Sequence, residues 1–410
     1  NVRAVDLITK VLAIKPDYAE AYNNLGNVLE KLERLGEALA KFHKAIGIKP
    51  DYVEAHYNHG NILGKLGRLD EAVVSYNKAI DIKPDFAEAH YNLGNALKEN
   101  RRLDASIASY RKALAIKPDY PKANNNLGNA LKKLGHLDEA IVTYQRALEF
   151  KPNYVHAHYN LGIALQDLGQ LDEAVECYHT AIHIKPNYAE VHCNLGIALQ
   201  DLGQLDEAVE SYHTAIGIKP EYAEAHYNLG SALKVDRRLN ESIASYRQAL
   251  AIKPNFANAH NNLGNVFKEL GRLDEAVGSY HKALISRADF EEAHNNLGNV
   301  LRELGRLDEA MVSYRKAIII KPDFAEAHSN LGNALIVLGQ LDEAVGHCRK
   351  AAAINPNFPE GNYNLGKALL KLGQYGEGLK YTLKGEGVIK FSNDKCRYFE
   401  LLVGHERRVN

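Results

Sequence analysis

Apolar residues return every three or four positions along most of this chain, the spacing of a stripe on a helix. From Ala19 to about Leu32 the stripe is Ala21, Leu25, Val28, Leu29 and Leu32. Glycine closes this first helix in most copies, as at Gly67, Gly135, Gly169 and Gly203, the residue type favoured just past a helix C-terminus. A second helix opens at Leu-Asp-Glu-Ala, as in Leu69-Asp70-Glu71-Ala72, with acids in its first turn where the helix dipole favours them. It runs to a proline followed by Asp or Asn and an aromatic. In Pro16-Asp17-Tyr18-Ala19-Glu20, Asp17 is expected to cap the next helix and Glu20 to complete a capping box.

The hairpins recur with a fixed period, and such self-similarity decides the fold before local structure does. Glycine stands at Gly26, Gly60, Gly94, Gly128, Gly162, Gly196, Gly230, Gly264, Gly298, Gly332 and Gly366, each step being 34 residues. Proline keeps the same period from Pro16 to Pro356, with Ala288 the one lapse. Small residues such as Ala72, Ala140 and Ala174 allow close approach of the two helices, with Ser106 and Ser242 as substitutes. Tyr76, Tyr110, Tyr144, Tyr178, Tyr212, Tyr246, Tyr280 and Tyr314 fill the space one turn later, and another alanine follows three residues on.

On these residues the chain resembles the tetratricopeptide repeat family, whose Leu-Gly, Ala, Tyr/Phe, Ala and Pro signature matches register by register. The expected architecture is all-α: a half repeat over 1–18, ten full repeats over 19–358, a worn eleventh copy over 359–384 with Gly378 and Thr382 at the usual alanine and aromatic positions, and a tail over 385–410. The resemblance implies a right-handed superhelical solenoid with first helices lining a concave groove. One hairpin cannot bury its own stripe, so stability accumulates from neighbouring interfaces. In the tail, Val388-Ile389-Lys390-Phe391 and the run from Tyr398 to Val403 are expected to pair as a short β-hairpin, as a cap or the start of a following domain. Asn100-Arg101-Arg102 and Asp236-Arg237-Arg238 replace Leu-Gly-Arg at the inter-helix turn and are expected to fray; their 136-residue separation points to a duplicated four-repeat block.

The most informative position lies two before the repeated glycine: Asn24, Asn58, Asn92, Asn126, Asn160, Asn194, Asn228, Asn262, Asn296, Asn330 and Asn364. Asparagine is a poor choice inside a helix because its amide competes for backbone hydrogen bonds, yet all eleven copies keep it while the residue before it drifts among Asn, Tyr, Cys and Ser. A second row follows three residues on, on the same helix face, at Asn27, Asn61, Asn95, Asn129, Asn265, Asn299 and Asn333, interrupted by Ile163, Ile197 and Ser231. A carboxamide donates and accepts at once, matching the N–H and C=O of an extended peptide; the competing expectation is that these amides bond within the solenoid or face water. The array resembles the superhelical repeat region of O-linked N-acetylglucosamine transferases and of similar bacterial repeat proteins. That resemblance implies a backbone-gripping role for Asn24 through Asn364. The carboxylate clamp of other members needs a lysine one residue before the first asparagine, and none stands there.

Charge and chemistry narrow the reading further. Lys and Arg number 50 against 51 Asp and Glu, so no net field draws in nucleic acid or an anionic membrane. Cys177, Cys193, Cys348 and Cys396 show no C-x-x-C spacing and fit small apolar fillers in a reducing cytoplasm, although a Cys177–Cys193 disulfide stays open at this stage. His56, His90, His158, His192, His226, His260, His294 and His328 form another row, spread too far along the chain to converge on a metal, and His179 with His183 lacks the acid of a zinc motif. Gly64-Lys65-Leu66-Gly67-Arg68 lacks the phosphate-loop spacing. No metal, cofactor or catalytic residue is expected. The primary expectation is a non-enzymatic scaffold holding an extended peptide or protein segment. The alternatives are the substrate-recruiting arm of a larger transferase and a solenoid that self-associates through terminal helices such as Ala4 to Leu12.

Overall fold

The computed structural model describes residues 2–386, and the secondary structure among them is helical throughout apart from turns. The chain divides into two compact units, Asn1–Ile218 and Lys219–Asn410. The first holds α1 (Val2–Ile14), α2 (Ala19–Glu30), α3 (Leu35–Ile48), α4 (Val53–Lys65), α5 (Leu69–Ile82), α6 (Ala87–Glu99), α7 (Leu103–Ile116), α8 (Pro121–Lys133), α9 (Leu137–Phe150), α10 (Val155–Asp167), α11 (Leu171–Ile184), α12 (Ala189–Asp201) and α13 (Leu205–Ile218). The second holds α14 (Ala223–Val235), α15 (Leu239–Ile252), α16 (Ala257–Glu269), α17 (Leu273–Ser286), α18 (Glu291–Glu303), α19 (Leu307–Ile320), α20 (Ala325–Val337), α21 (Leu341–Ile354), α22 (Pro359–Lys371) and α23 (Tyr375–Glu386). The last helix continues past Lys384, where the tail was expected to begin; the expected hairpin lies outside the described residues.

Most hairpins close around one aromatic ring. Tyr178 is fully buried, and a Cβ on Gly162 would sit 2.6 Å from its Cε1, which is why glycine holds that register. Ala174 and Ala181, on either side of the ring, are also fully buried. Where serine replaces the first alanine it is satisfied locally: Ser106 Oγ donates to the Gly94 carbonyl at 2.7 Å and Ser242 Oγ to that of Gly230 at 2.6 Å. In the last two pairs no aromatic intervenes: a Cβ on Gly332 would meet Cys348 Sγ at 2.3 Å, and one on Gly366 would meet the Thr382 backbone nitrogen at 2.6 Å, so α22 and α23 approach more closely than the other pairs.

The capping expected of Asp17 and Glu20 is not formed. Tyr18 is the N-cap in extended conformation without a side-chain bond, and its carbonyl accepts from the N–H groups of Ala21 and Tyr22 at 3.1 and 3.2 Å. The cap position is reserved for an aromatic because its ring packs on the preceding repeat: the rings of Phe86 and Tyr57 lie 4.8 Å apart, those of Tyr120 and Tyr91 4.9 Å. The acid therefore falls one residue early, and Glu20 instead reaches Lys49 at 3.4 Å. At the inter-helix turn, glycines such as Gly67 (φ 74°) take the left-handed conformation. Arg101 (φ 59°) and Arg237 (φ 63°) adopt it as well, and so does Glu33 (φ 58°), a third departure that escaped the sequence reading. Arg102 N–H still closes the turn on the Leu97 carbonyl at 2.9 Å.

Within each unit, successive first helices touch one another, α2 with α4 through α10 with α12, and α14 with α16 through α20 with α22. Among the described residues the backbones of successive second helices stay apart, and these helices meet through long side chains, as Arg111 does Glu139 at 2.8 Å and Arg315 does Glu343 at 2.9 Å. Stacking that is tight on one side and open on the other curves each unit with its first helices inside.

Candidate functional site

The two asparagine rows lie on the first helices, along the seams where consecutive first helices meet. Asn24 is exposed, Asn364 buried and the rest of the first row half-buried. Their amide nitrogens are engaged between repeats. In the first unit, Asn58 Nδ2 donates to Asn23 Oδ1 (3.0 Å), Asn92 to the Tyr57 hydroxyl (2.9 Å), Asn126 to that of Tyr91 (3.1 Å), Asn160 to Asn125 Oδ1 (2.9 Å) and Asn194 to the Tyr159 hydroxyl (3.2 Å). In the second unit, Asn262 donates to the Tyr227 hydroxyl (3.1 Å), Asn296 to Asn261 Oδ1 (3.2 Å), Asn330 to Asn295 Oδ1 (3.0 Å) and Asn364 to Ser329 Oγ (2.9 Å).

These bonds explain the fixed asparagine beside a drifting neighbour. The acceptor belongs to the residue one before the asparagine of the previous repeat, and Asn, Tyr and Ser all supply an oxygen there. Sequence reading singled out the donor and missed the acceptor; the shared oxygen of those drifting residues was the available signal. Replacing Asn160, Asn194 and Asn262 by alanine therefore strips stacking bonds as well as any groove contact, so such a variant is not fold-neutral.

The second row serves the buried tyrosines. The hydroxyls of Tyr76, Tyr110, Tyr144, Tyr280 and Tyr314 donate to Oδ1 of Asn61, Asn95, Asn129, Asn265 and Asn299 at 2.7 to 2.9 Å. Burial pushes these phenols up, Tyr314 to about 12, so each remains a protonated donor at neutral pH. Where isoleucine interrupts the row, glutamine one turn on takes over: Tyr178 donates to Gln166 Oε1 at 2.9 Å and Tyr212 to Gln200 Oε1 at 3.2 Å. Ser231 meets the Tyr246 hydroxyl at 3.0 Å. Asn27 and Asn333 face Phe42 and Cys348 in this register and have no side-chain bond among the described residues.

The carboxamide holds two donor hydrogens and two acceptor lone pairs, so these internal bonds leave complementary groups unused. Among the described residues, Oδ1 of Asn58, Asn160, Asn194, Asn296 and Asn330 accepts no hydrogen bond, and Nδ2 of Asn129, Asn265 and Asn299 donates none. Asn296 and Asn299 carry such an acceptor and donor three residues apart on one face, and in the first unit the acceptors of Asn160 and Asn194 stand beside the half-buried Ile163 and Ile197.

The histidine row is structural. Nε2 of His56, His90, His158, His192, His226, His260 and His328 donates to the carbonyl of the proline six residues earlier, and His294 to Ala288, at 2.8 to 3.1 Å. Among the described residues no three His, Cys, Asp or Glu side chains converge as metal ligands, and no helix is long and apolar enough to cross a membrane. Cys177 and Cys193 form no disulfide.

The family model described as TPR repeat matches residues 31–67, 60–101, 99–135, 128–169, 164–203, 198–234, 238–271, 264–301, 298–339 and 332–373, and a tetratricopeptide repeat model matches 7–40. No curated protein matches. Among solved structures, the APC/C hetero-tetramer Cut9-Hcn1 aligns over 89% of this chain and 92% of its own with a TM-score of 0.50 at 14% identity, a likeness of fold. YrrB, a TPR protein with an unusual peptide-binding site, is 25% identical over 45% of this chain and 95% of its own (TM-score 0.41). MamA is 28% identical over 40% and 97% (TM-score 0.38).

Proposed function

This chain belongs to the tetratricopeptide repeat family, and we propose that it holds an extended peptide segment along its first helices by reading the peptide backbone. The family is generally a non-catalytic protein-interaction fold, and the chain is a protein-interaction scaffold of that kind. The observation that carries the finer reading is the unused half of each amide: first-row acceptors and second-row donors remain on one face after the internal bonds are made. An extended chain offers the matching N–H and C=O groups at every residue. Recognition of this kind is tolerant of side-chain sequence, and Ile163 with Ile197 favours apolar side chains in the first unit.

A photo-cross-linking amino acid in place of Ile163 tests the reading in cell extract. Recovered segments should be extended stretches of varied sequence; recovery of folded surfaces alone would contradict it. A second reading, self-association, draws on α1, where Leu7, Val11 and Ile14 are 55%, 44% and 86% exposed. Light scattering across concentration tests it, and a strict monomer would remove it.

A further inference from the structure

Opposite charges meet across several seams between first helices, near their C-terminal ends. Lys65 reaches Glu30 at 2.7 Å, Lys132 reaches Asp167 at 3.3 Å and Lys268 reaches Glu303 at 3.5 Å, the same pair of registers in each case. At the seam between α6 and α8 those registers set Lys98 against Lys133. Lys98 is half-buried there: burial pulls its ammonium down, Glu99 opposes, and Lys133 adds to the pull. Among the described residues Lys98, Lys133 and the neighbouring Arg101 have no ion-pair partner. Of the acids at this turn, Asp70 accepts from Asn100 at 2.7 Å, while Glu99 and Asp104 are exposed and pair with none of the three cations.

The duplicated block shows what fills this place elsewhere. In the second unit the register of Lys133 is Glu269, and Arg237, at the turn between α14 and α15, holds its carboxylate. The registers of Arg237 and Lys234 are Arg101 and Lys98. The first unit therefore keeps both cations and exchanges the carboxylate they face for a third cation. Arg101 also holds the left-handed conformation (φ 59°) that glycine takes in most repeats, so its side chain is kept at a backbone cost. Like charges set against one another cost the free protein stability, and an anion bound among them relieves that cost.

We propose that Lys98, Arg101 and Lys133 form a binding site for a phosphomonoester dianion, carried on a phosphorylated side chain of a protein segment. One carboxylate satisfies this place in the second unit. A third cation in its stead calls for an anion of higher charge with more acceptor oxygens, and a phosphomonoester at neutral pH carries about −1.5 to −2 with three such oxygens. The planar fork of Arg101 suits two of them, and the two ammonium groups supply point charges to the rest. Lys98 lies three residues beyond Asn95 on one face of α6, so the site continues the face that carries the amides, and this favours a peptide-borne phosphate over a free one. The site is carried by its cations and is independent of the backbone-reading proposal.

Two substitutions have precedents in this chain. Lys133→Glu copies Glu269 and gives Arg101 a carboxylate, and Lys98→Gln copies Gln166 and Gln200 in the same register. The full chain is titrated into a glycine-rich peptide with one phosphoserine and an uncharged dye, beside the same peptide with serine, and inorganic phosphate is the competitor. The phosphopeptide should bind at least about tenfold tighter than the serine peptide. Lys98→Gln should weaken it about tenfold, and Lys133→Glu should abolish it while raising the urea midpoint, because opposite charges then meet across the seam. Displacement by inorganic phosphate would support the site and extend it to free phosphate; displacement by unlabelled phosphopeptide alone would confine it to the ester. Equal affinity for the two peptides, or unaltered binding in Lys133→Glu, would overturn it.

Discussion

Asn129 separates what the second row does for the fold from what it offers a ligand. Tyr144 is fully buried and its hydroxyl donates to Asn129 Oδ1 at 2.7 Å, while Asn129 Nδ2 donates to nothing among the described residues. Asn129→Leu removes the acceptor and strands a phenolic hydroxyl inside the hairpin, a cost of about 1–3 kcal/mol, offset by a few tenths from leucine's better helix preference. Asn129→Ser keeps an oxygen in reach, as Ser231 does for Tyr246 at 3.0 Å, so its cost should stay below about 0.5 kcal/mol. Because stability in a solenoid is set by nearest neighbours, the loss is local. Hydrogen exchange of α8 and α9 amides should accelerate about 30-fold for a 2 kcal/mol loss in the leucine variant, at about tenfold per 1.4 kcal/mol, and about twofold in the serine variant. Equal exchange in the two variants would refute the assignment of Oδ1 to the tyrosine.

Two further predictions concern local departures from the repeat. Arg101 sits at φ 59°, where glycine serves in most repeats, so Arg101→Gly should stabilise the α6–α7 turn by about 0.5 kcal/mol, the left-handed penalty less the added freedom of the unfolded glycine. A drop in the urea midpoint would contradict this. His59 stands where Leu25, Leu93 and Leu127 stand in other repeats; burial pulls it down to about 4, with His43, His56 and Arg68 pushing the same way and Glu71 opposing. Its neutral form is the one the fold favours, so the unfolded chain binds more protons between about 4 and 6.5, and stability should fall as pH drops through that window and stay level above it. His59→Leu should flatten part of that fall in urea midpoints compared at pH 7 and 4.5; an unchanged slope would contradict the burial argument.

How far the chain could be read from its sequence follows from what repeats and what does not. A glycine, an alanine and a tyrosine at fixed offsets imply helices in close contact, and Gly162 against Tyr178 is that contact. The asparagine row was visible for the same reason. Its bonding was not, because the partner of Asn160 is Asn125 in the preceding repeat, a cross-repeat pairing that spacing along one helix does not reveal. The capping box misled because Asp17 has the right composition one residue from the right place, and ring packing decides where the helix begins. Gln166 and Gln200 stand where Ile163 and Ile197 interrupt the second row, a compensation legible in the sequence once the tyrosine's need for an acceptor is known.

The central claim is that the second-row amides hold a peptide backbone with the hydrogens the fold leaves unused. The triple variant Asn61→Ser, Asn95→Ser, Asn129→Ser retains an oxygen for Tyr76, Tyr110 and Tyr144; Asn92 and Asn126 keep their bonds to Tyr57 and Tyr91 and lose those to Asn61 and Asn95 Oδ1 at 3.0 and 2.9 Å. Anisotropy titration of a labelled segment recovered by the Ile163 cross-link should show an affinity loss of about 100-fold, three hydrogen bonds of about 1 kcal/mol each, with the chain still folded and its melting midpoint only slightly lowered by the lost Asn92–Asn61 and Asn126–Asn95 bonds. Full affinity in a folded triple variant would contradict the account.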